Sequence, residues 1–206
     1  MFQGGSIKDI MKVLVIGCSH VERLGADGTD FFDYRGSRIF VYYHGIGGAD
    51  FQTYTKNNNA KLISVATRYN PDIIITFIGG NAIKTTVTNQ EIYDASEGFH
   101  RAVSGLFPGA IIVASQIEVR EYKPNNRWNC PIGYEHHRRR VAYNNFLKAL
   151  IYKDHLMMIN GPGAYRMDDP KIYSSDKVHF KPCGYLRLYN IIKKEIKYVI
   201  REHFLL

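Results

Sequence analysis

The chain has little cysteine and less tryptophan. Its 206 residues contain Cys18, Cys130 and Cys183, and Trp128 alone of its type. An odd and sparse cysteine set excludes a disulfide framework, and no C-x-x-C pair offers zinc ligation. Such usage reads as a reducing, intracellular setting, most simply the cytoplasm. No apolar run approaches the roughly 20 residues that a membrane span needs. The N-terminus lacks the pattern of a signal peptide. Acids are the minority among the charges, 19 against 27 lysines and arginines, for a net charge of +8. That balance suits contact with nucleic acid, an anionic membrane surface or an acidic substrate, and it suits a basic enzyme as well.

Phosphate-binding signatures are missing too. No G-x-x-x-x-G-K-[ST] occurs. "GIGGAD" starts like a dinucleotide fingerprint, but Asp50 stands at the third glycine position and the stretch follows a second strand rather than a first. "GCSHV" has Val21 where the second glycine of a G-x-S-x-G elbow belongs. The adjacent pairs His136–His137 and Asp168–Asp169 have no matching ligands nearby, so neither metal nor cofactor is expected.

What is present is a core-forming composition, 45% hydrophobic and 22% charged, sized for one domain. "FQGGS" reads as a leader or cloning scar within residues 1–10, and residues 11–206 as a single domain. Five short runs are nearly continuous in apolar residues: Lys12–Gly17, Arg38–His44, Asp72–Gly80, Ala110–Ser115 and His155–Gly161. They predict strands buried on both faces. Helical periodicity fills the gaps, with a break expected at Asn57–Asn59 and a last helix striped by Tyr185, Leu188, Ile192, Ile196 and Val199. Alternation of this kind predicts an α/β fold, a parallel sheet between two helical layers.

Ligands in such sheets sit beyond the carboxyl ends of the strands. "GCSH" follows the first strand, "GIGGAD" the second and "GGNA" the third. A serine on a strand-to-helix turn, unpaired backbone N–H groups and an asparagine amide are what acyl transfer requires, provided a base is near. "SSDKVHFKPCGY" offers one, with Asp176 three residues before His179. His179 would take the Ser19 proton and Asp176 would fix the tautomer of His179. Each element has a plainer reading by itself. Eleven Asp and eight His give roughly 0.4 D-x-x-H pairs by chance. Ser19 alone would serve as a helix N-cap, Gly48 as a turn residue and Asn81 as a loop amide. The functional reading rests on their falling together at three strand ends in this chain order.

These blocks resemble those of the SGNH, or GDSL-type, hydrolase superfamily over Lys12 to about Tyr185. The resemblance implies a five-stranded, flavodoxin-like sheet of order 2-1-3-4-5 and a cofactor-independent serine esterase of the esterase, lipase, thioesterase or deacetylase kind. It assigns the nucleophile to Ser19 and the base and its partner to His179 and Asp176. The oxyanion donors would be the backbone N–H groups of Ser19 and Gly48, with Gly47 as the alternative register, and the side chain of Asn81. Two positions depart from the family pattern. Cys18 replaces the usual Asp before the serine, and Ala82 the Asp after the asparagine, which puts loop rigidity in question. "VLVIGCSHVERL" is similar to a branch that includes esterase domains from the first reading frame of LINE-type retrotransposons. The implied substrate is a small ester or an acylated lipid or carbohydrate. The alternative is a basic nucleic-acid or membrane-surface module on the same fold. The long segment after strand four places Arg120, Tyr122, Arg127 and Trp128 as candidates to line a substrate pocket, and Arg138–Arg140 as a solvated helix start or a phosphate contact.

Overall fold

The computed structural model describes residues 9–25, 29–84, 86–117, 130–154, 157–159, 170–176 and 178–204. Six strands, β1 (Ile10–Gly17), β2 (Asp30–Tyr34), β3 (Ser37–Gly45), β4 (Ile73–Phe77), β5 (Ile111–Ser115) and β6 (Met157–Ile159), form one sheet in the order β2-β3-β1-β4-β5-β6. Five helices accompany them: α1 (Ser19–Leu24), α2 (Phe51–Tyr69), α3 (Asn89–Leu106), α4 (Cys130–Asp154) and α5 (Pro182–Phe204). β3, β1, β4, β5 and β6 are parallel, in the order expected of the five apolar runs.

Side-chain alternation along the strands builds two cores. Val13 and Val15 of β1, with Ile73 and Ile75 of β4, pack with Leu188, Ile192, Ile196 and Val199 of α5 on one face. Leu14 and Ile16, with Ile74, pack with Leu62, Phe99 and Leu147 of α2, α3 and α4 on the other. The central strands are nearly continuous in apolar residues because both faces are covered, Lys12 of β1 and Thr76 of β4 being the polar exceptions.

The sixth strand, β2, is absent from the sequence expectation. It pairs antiparallel with β3 at the sheet edge, joined by Arg35 at φ 50° and Gly36 at φ 86°. Positive φ at both central residues is the two-residue hairpin geometry whose twist matches the flanking strands. An edge strand with one solvated side does not carry a continuous apolar run, which is why "DFFDY" escaped that criterion. The break in α2 does occur. Lys56 is extended and Asn57, Asn58 and Asn59 all take left-handed backbone, so two helices meet there. Among the described residues, no helix is long and apolar enough to cross a membrane.

Candidate active site

The sheet order reverses around β1, and the loops after β1, β3 and β4 meet at its carboxyl end. The turn from β1 into α1 is tight. A Cβ on Gly17 would lie 2.3 Å from Val21 Cγ2 and 2.5 Å from the Phe77 carbonyl oxygen. Only a glycine lets α1 start this close to the strand. Cys18 is the N-cap, in extended backbone, buried and in no disulfide. Ser19 is therefore not the cap, as its plainer reading had it, but the first helical residue, where N–H groups lack intrahelical acceptors.

The segment before α5 brings His179. The Ser174 N–H donates to the His179 carbonyl (2.8 Å) and the Lys181 N–H to that of Ile172 (2.7 Å), closing a small loop. Inside it, Asp176 Oδ1 accepts from the N–H groups of Val178 and His179, both at 2.9 Å, and from the Ser174 hydroxyl at 2.7 Å. Asp176 Oδ2 lies 2.7 Å from His179 Nδ1, and His179 Nε2 lies 3.0 Å from Ser19 Oγ. The three side chains thus form a hydrogen-bonded row across 160 residues of chain. Since a carboxylate only accepts, Nδ1 carries the proton and Nε2 is left to accept from the serine hydroxyl. Partial burial works to raise the Asp176 pKa, but the donors from His179, Ser174 and Val178 outweigh it and hold the carboxyl well below its ordinary range.

The other two loops are tied to each other. Gly48 has φ 71°, in the region that favours glycine, within a turn closed by the Ala49 N–H donating to Ile46. Asn81 Nδ2 donates to the Ala49 carbonyl at 3.0 Å, linking the loop after β4 to the loop after β3. Lys84 adds an ion pair to Asp50 at 3.5 Å across the same gap. Tyr54, fully buried, donates its hydroxyl to the Gly17 carbonyl at 2.7 Å and lies 3.0 Å from that of His44, pinning the ends of β1 and β3. These contacts give the loops the support that Cys18 and Ala82 do not supply.

Sequence reasoning missed His20. It is 1% exposed, and its ring centroid is 5.6 Å from that of His179, 4.6 Å from Phe180 and 6.1 Å from Tyr185. It thus backs the ring that faces Ser19. Its place next to Ser19 in "GCSH" was the available signal, but the ring contacts are long-range. Arg120, Tyr122, Arg127 and Trp128 lie outside the described residues. The arginine row lies inside α4 rather than at its start, with Arg138 exposed to solvent. There Arg138 and Arg139 pair with Glu135, and Arg139 also donates to the carbonyls of Lys84 and Val87. Arg139 braces the loop that carries Lys84, and its side chain is only 16% exposed.

The sequence matches no family model and no curated protein. Solved structures do match the fold. An acetylxylan esterase, Axe2 from Geobacillus stearothermophilus, superposes with a TM-score of 0.62 at 17% identity, over 94% of this chain and 95% of its own. TesA gives a TM-score of 0.62 at 16% identity, over 91% of this chain and 99% of its own. A lipase/acylhydrolase from Enterococcus faecalis gives 0.62 at 16%, over 91% and 96%. The chain has the SGNH hydrolase fold, and its own sheet carries an antiparallel strand at one edge.

Proposed function

We propose that the domain, residues 11–206, is a serine esterase that hydrolyses short acyl esters of the acetyl type. The observation that carries this reading is the row Ser19–His179–Asp176, at 3.0 and 2.7 Å. The fold shared with an acetylxylan esterase and an acylhydrolase agrees with it. Ser19 Oγ attacks the ester carbonyl while His179 Nε2 takes its proton. The tetrahedral oxyanion is received by the backbone N–H groups of Ser19 and Gly48 and by the Asn81 amide, which Ala49 holds in place. The C–O bond to the alcohol breaks, and His179 returns the proton to the departing alkoxide. Water, deprotonated by His179, then attacks the acyl–serine and releases the acid. Asp176 keeps Nδ1–H in position and stabilises the imidazolium formed in each half-reaction.

Labelling with a fluorophosphonate, with the adduct located by mass spectrometry, tests the assignment. Modification at Ser19, and a fall of about 10⁶-fold in kcat for p-nitrophenyl acetate in Ser19→Ala, are expected. Hydrolysis at an equal rate in that variant removes Ser19 from the mechanism.

A second reading is favoured by the surface that α5 shares with the β2–β3 hairpin. Lys193 and Lys197 lie over the Phe32 ring at 4.5 and 5.7 Å, Lys197 also over Tyr34 at 5.5 Å, and Arg38 over Phe31 at 5.8 Å. With a net charge of +8, this face suits an anionic polymer or membrane surface. Binding to single-stranded RNA or anionic vesicles that weakens with salt supports it, and binding to neither at low salt dismisses it.

A further inference from the structure

No step of acyl transfer uses His20, yet it lies at the centre of the aromatic cluster beside the Ser19–His179–Asp176 row. Its ring centroid is 4.6 Å from that of Phe180, 5.6 Å from His179, 6.1 Å from Tyr185 and 6.4 Å from Phe77. The surrounding rings have little room to move. Phe180 is buried, packs on the Tyr173 ring at 5.1 Å and pairs with Tyr173 in an antiparallel bridge. A Cβ on Gly184 would come within 2.7 Å of the Phe180 Cβ, so the start of α5 closes directly on that side chain. His20 is thus packed against β4 through Phe77, against α5 through Tyr185, and against the loop that carries His179 through Phe180.

What sets position 20 apart from the other rings is its neighbour. Ser19 is one peptide unit away in α1, and successive helical residues point about 100° apart. One turn of helix therefore presents the hydroxyl on one side and the ring on an adjoining side. That ring meets His179 and the next residue, Phe180, together. The 3.0 Å from Ser19 Oγ to His179 Nε2 is in this way set across one peptide unit and one ring contact, rather than through 160 residues of chain. The ring contact also supplies what the hydrogen bonds lack. Asp176 holds Nδ1 and Ser19 meets Nε2, at either end of the line between the two nitrogens. Bonds at two ends resist roll about that line only weakly, because hydrogen-bond angles are tolerant. The Nε2 lone pair lies in the ring plane and off that line, so roll turns it away from the hydroxyl. A ring packed alongside, tilted by 53°, opposes the roll.

We propose that His20 is a positioning residue for the esterase reaction, its ring fixing the plane of the His179 imidazole against Ser19. The proposal rests on the assignment of Ser19 and His179 for its effect on turnover, but not for the geometry. Two readouts keep these apart. The first is the low-field proton resonance of His179 Nδ1–H on Asp176, assigned by its absence in His179→Gln. It persists in the wild-type protein and in His20→Phe. It is lost to exchange with water in His20→Leu, which puts a side chain without a flat face in place of the ring. The second is hydrolysis of p-nitrophenyl acetate. In His20→Leu kcat falls about 10–100-fold while KM stays within about twofold, since a misplacement of about 1 Å costs on that order. His20→Phe recovers most of the loss. His20→Gln takes the place of the leucine variant if that protein does not fold, and failure of both to fold makes His20 a plain core residue and overturns the proposal. An unchanged resonance in His20→Leu, no such resonance in the wild-type protein, or an equal loss of kcat in His20→Phe overturns it as well and leaves the esterase standing. Loss of the resonance in His20→Leu, with no hydrolysis by the wild-type protein, does the reverse.

Discussion

Asp176 carries four hydrogen bonds on two oxygens, and only one of them goes to the imidazole. The other three fix the carboxylate itself. Burial raises its pKa, but the His179 imidazole, and after it the other three donors, lower it by more, so its ionised form persists well below the ordinary value of 3.8. A depressed folded pKa contributes stability above the unfolded value, and that contribution is lost as pH falls through the folded one. Asp176→Asn is therefore expected to destabilise the protein at pH 7, with the deficit shrinking as pH drops below about 4. Urea denaturation of both proteins from pH 7 downward measures it, and a deficit that is constant with pH contradicts it. The three residues of the row were legible as motifs, since Ser19 follows a strand and D-x-x-H precedes a helix. Their alignment was not, because 160 residues separate the hydroxyl from the imidazole. The Lys84–Asp50 ion pair, the Arg139 brace and the His20 ring were hidden for the same reason: none is a local pattern.

Among the elements, α2 shows most directly how sequence dictates shape. Three consecutive asparagines accept left-handed backbone that costs other residues with a Cβ roughly 1–2 kcal/mol each. Asn58 is exposed, with φ 53° and ψ 44°. Asn58→Val should lower stability by about 1–2 kcal/mol, and Asn58→Gly should change it by only a few tenths. Thermal or urea denaturation distinguishes them, and equal losses would mean that a side-chain contact, not the backbone, sets the kink. The break was readable from composition because the energetic reason is local. The edge strand β2 was readable in principle from Arg35–Gly36, a turn signal, but not from hydrophobicity, which an edge strand needs on one side only.

Across the molecule, the two cores lie on opposite faces of the sheet. Leu62 belongs to one and Ile196 to the other, and both are fully buried. Each replaced by alanine should cost roughly 2–5 kcal/mol. With the sheet between them and no shared partner, the double variant should lose the sum to within about 0.5 kcal/mol. A large deviation in a urea-denaturation cycle would show the cores coupled through the strands. The layered architecture was legible because buried parallel strands are nearly continuous in apolar residues, whereas the order of the five strands came from the resemblance to the SGNH superfamily.

The pairing of Ser19 with His179 also has a temporal side. On a ribosome, Ser19 is made long before His179, and the strands that flank β1 emerge after it. A truncated or stalled product ending ahead of residue 179 would carry the serine with no proton acceptor beside it. In the proposed mechanism, then, hydrolytic competence comes only once translation has passed the D-x-x-H segment.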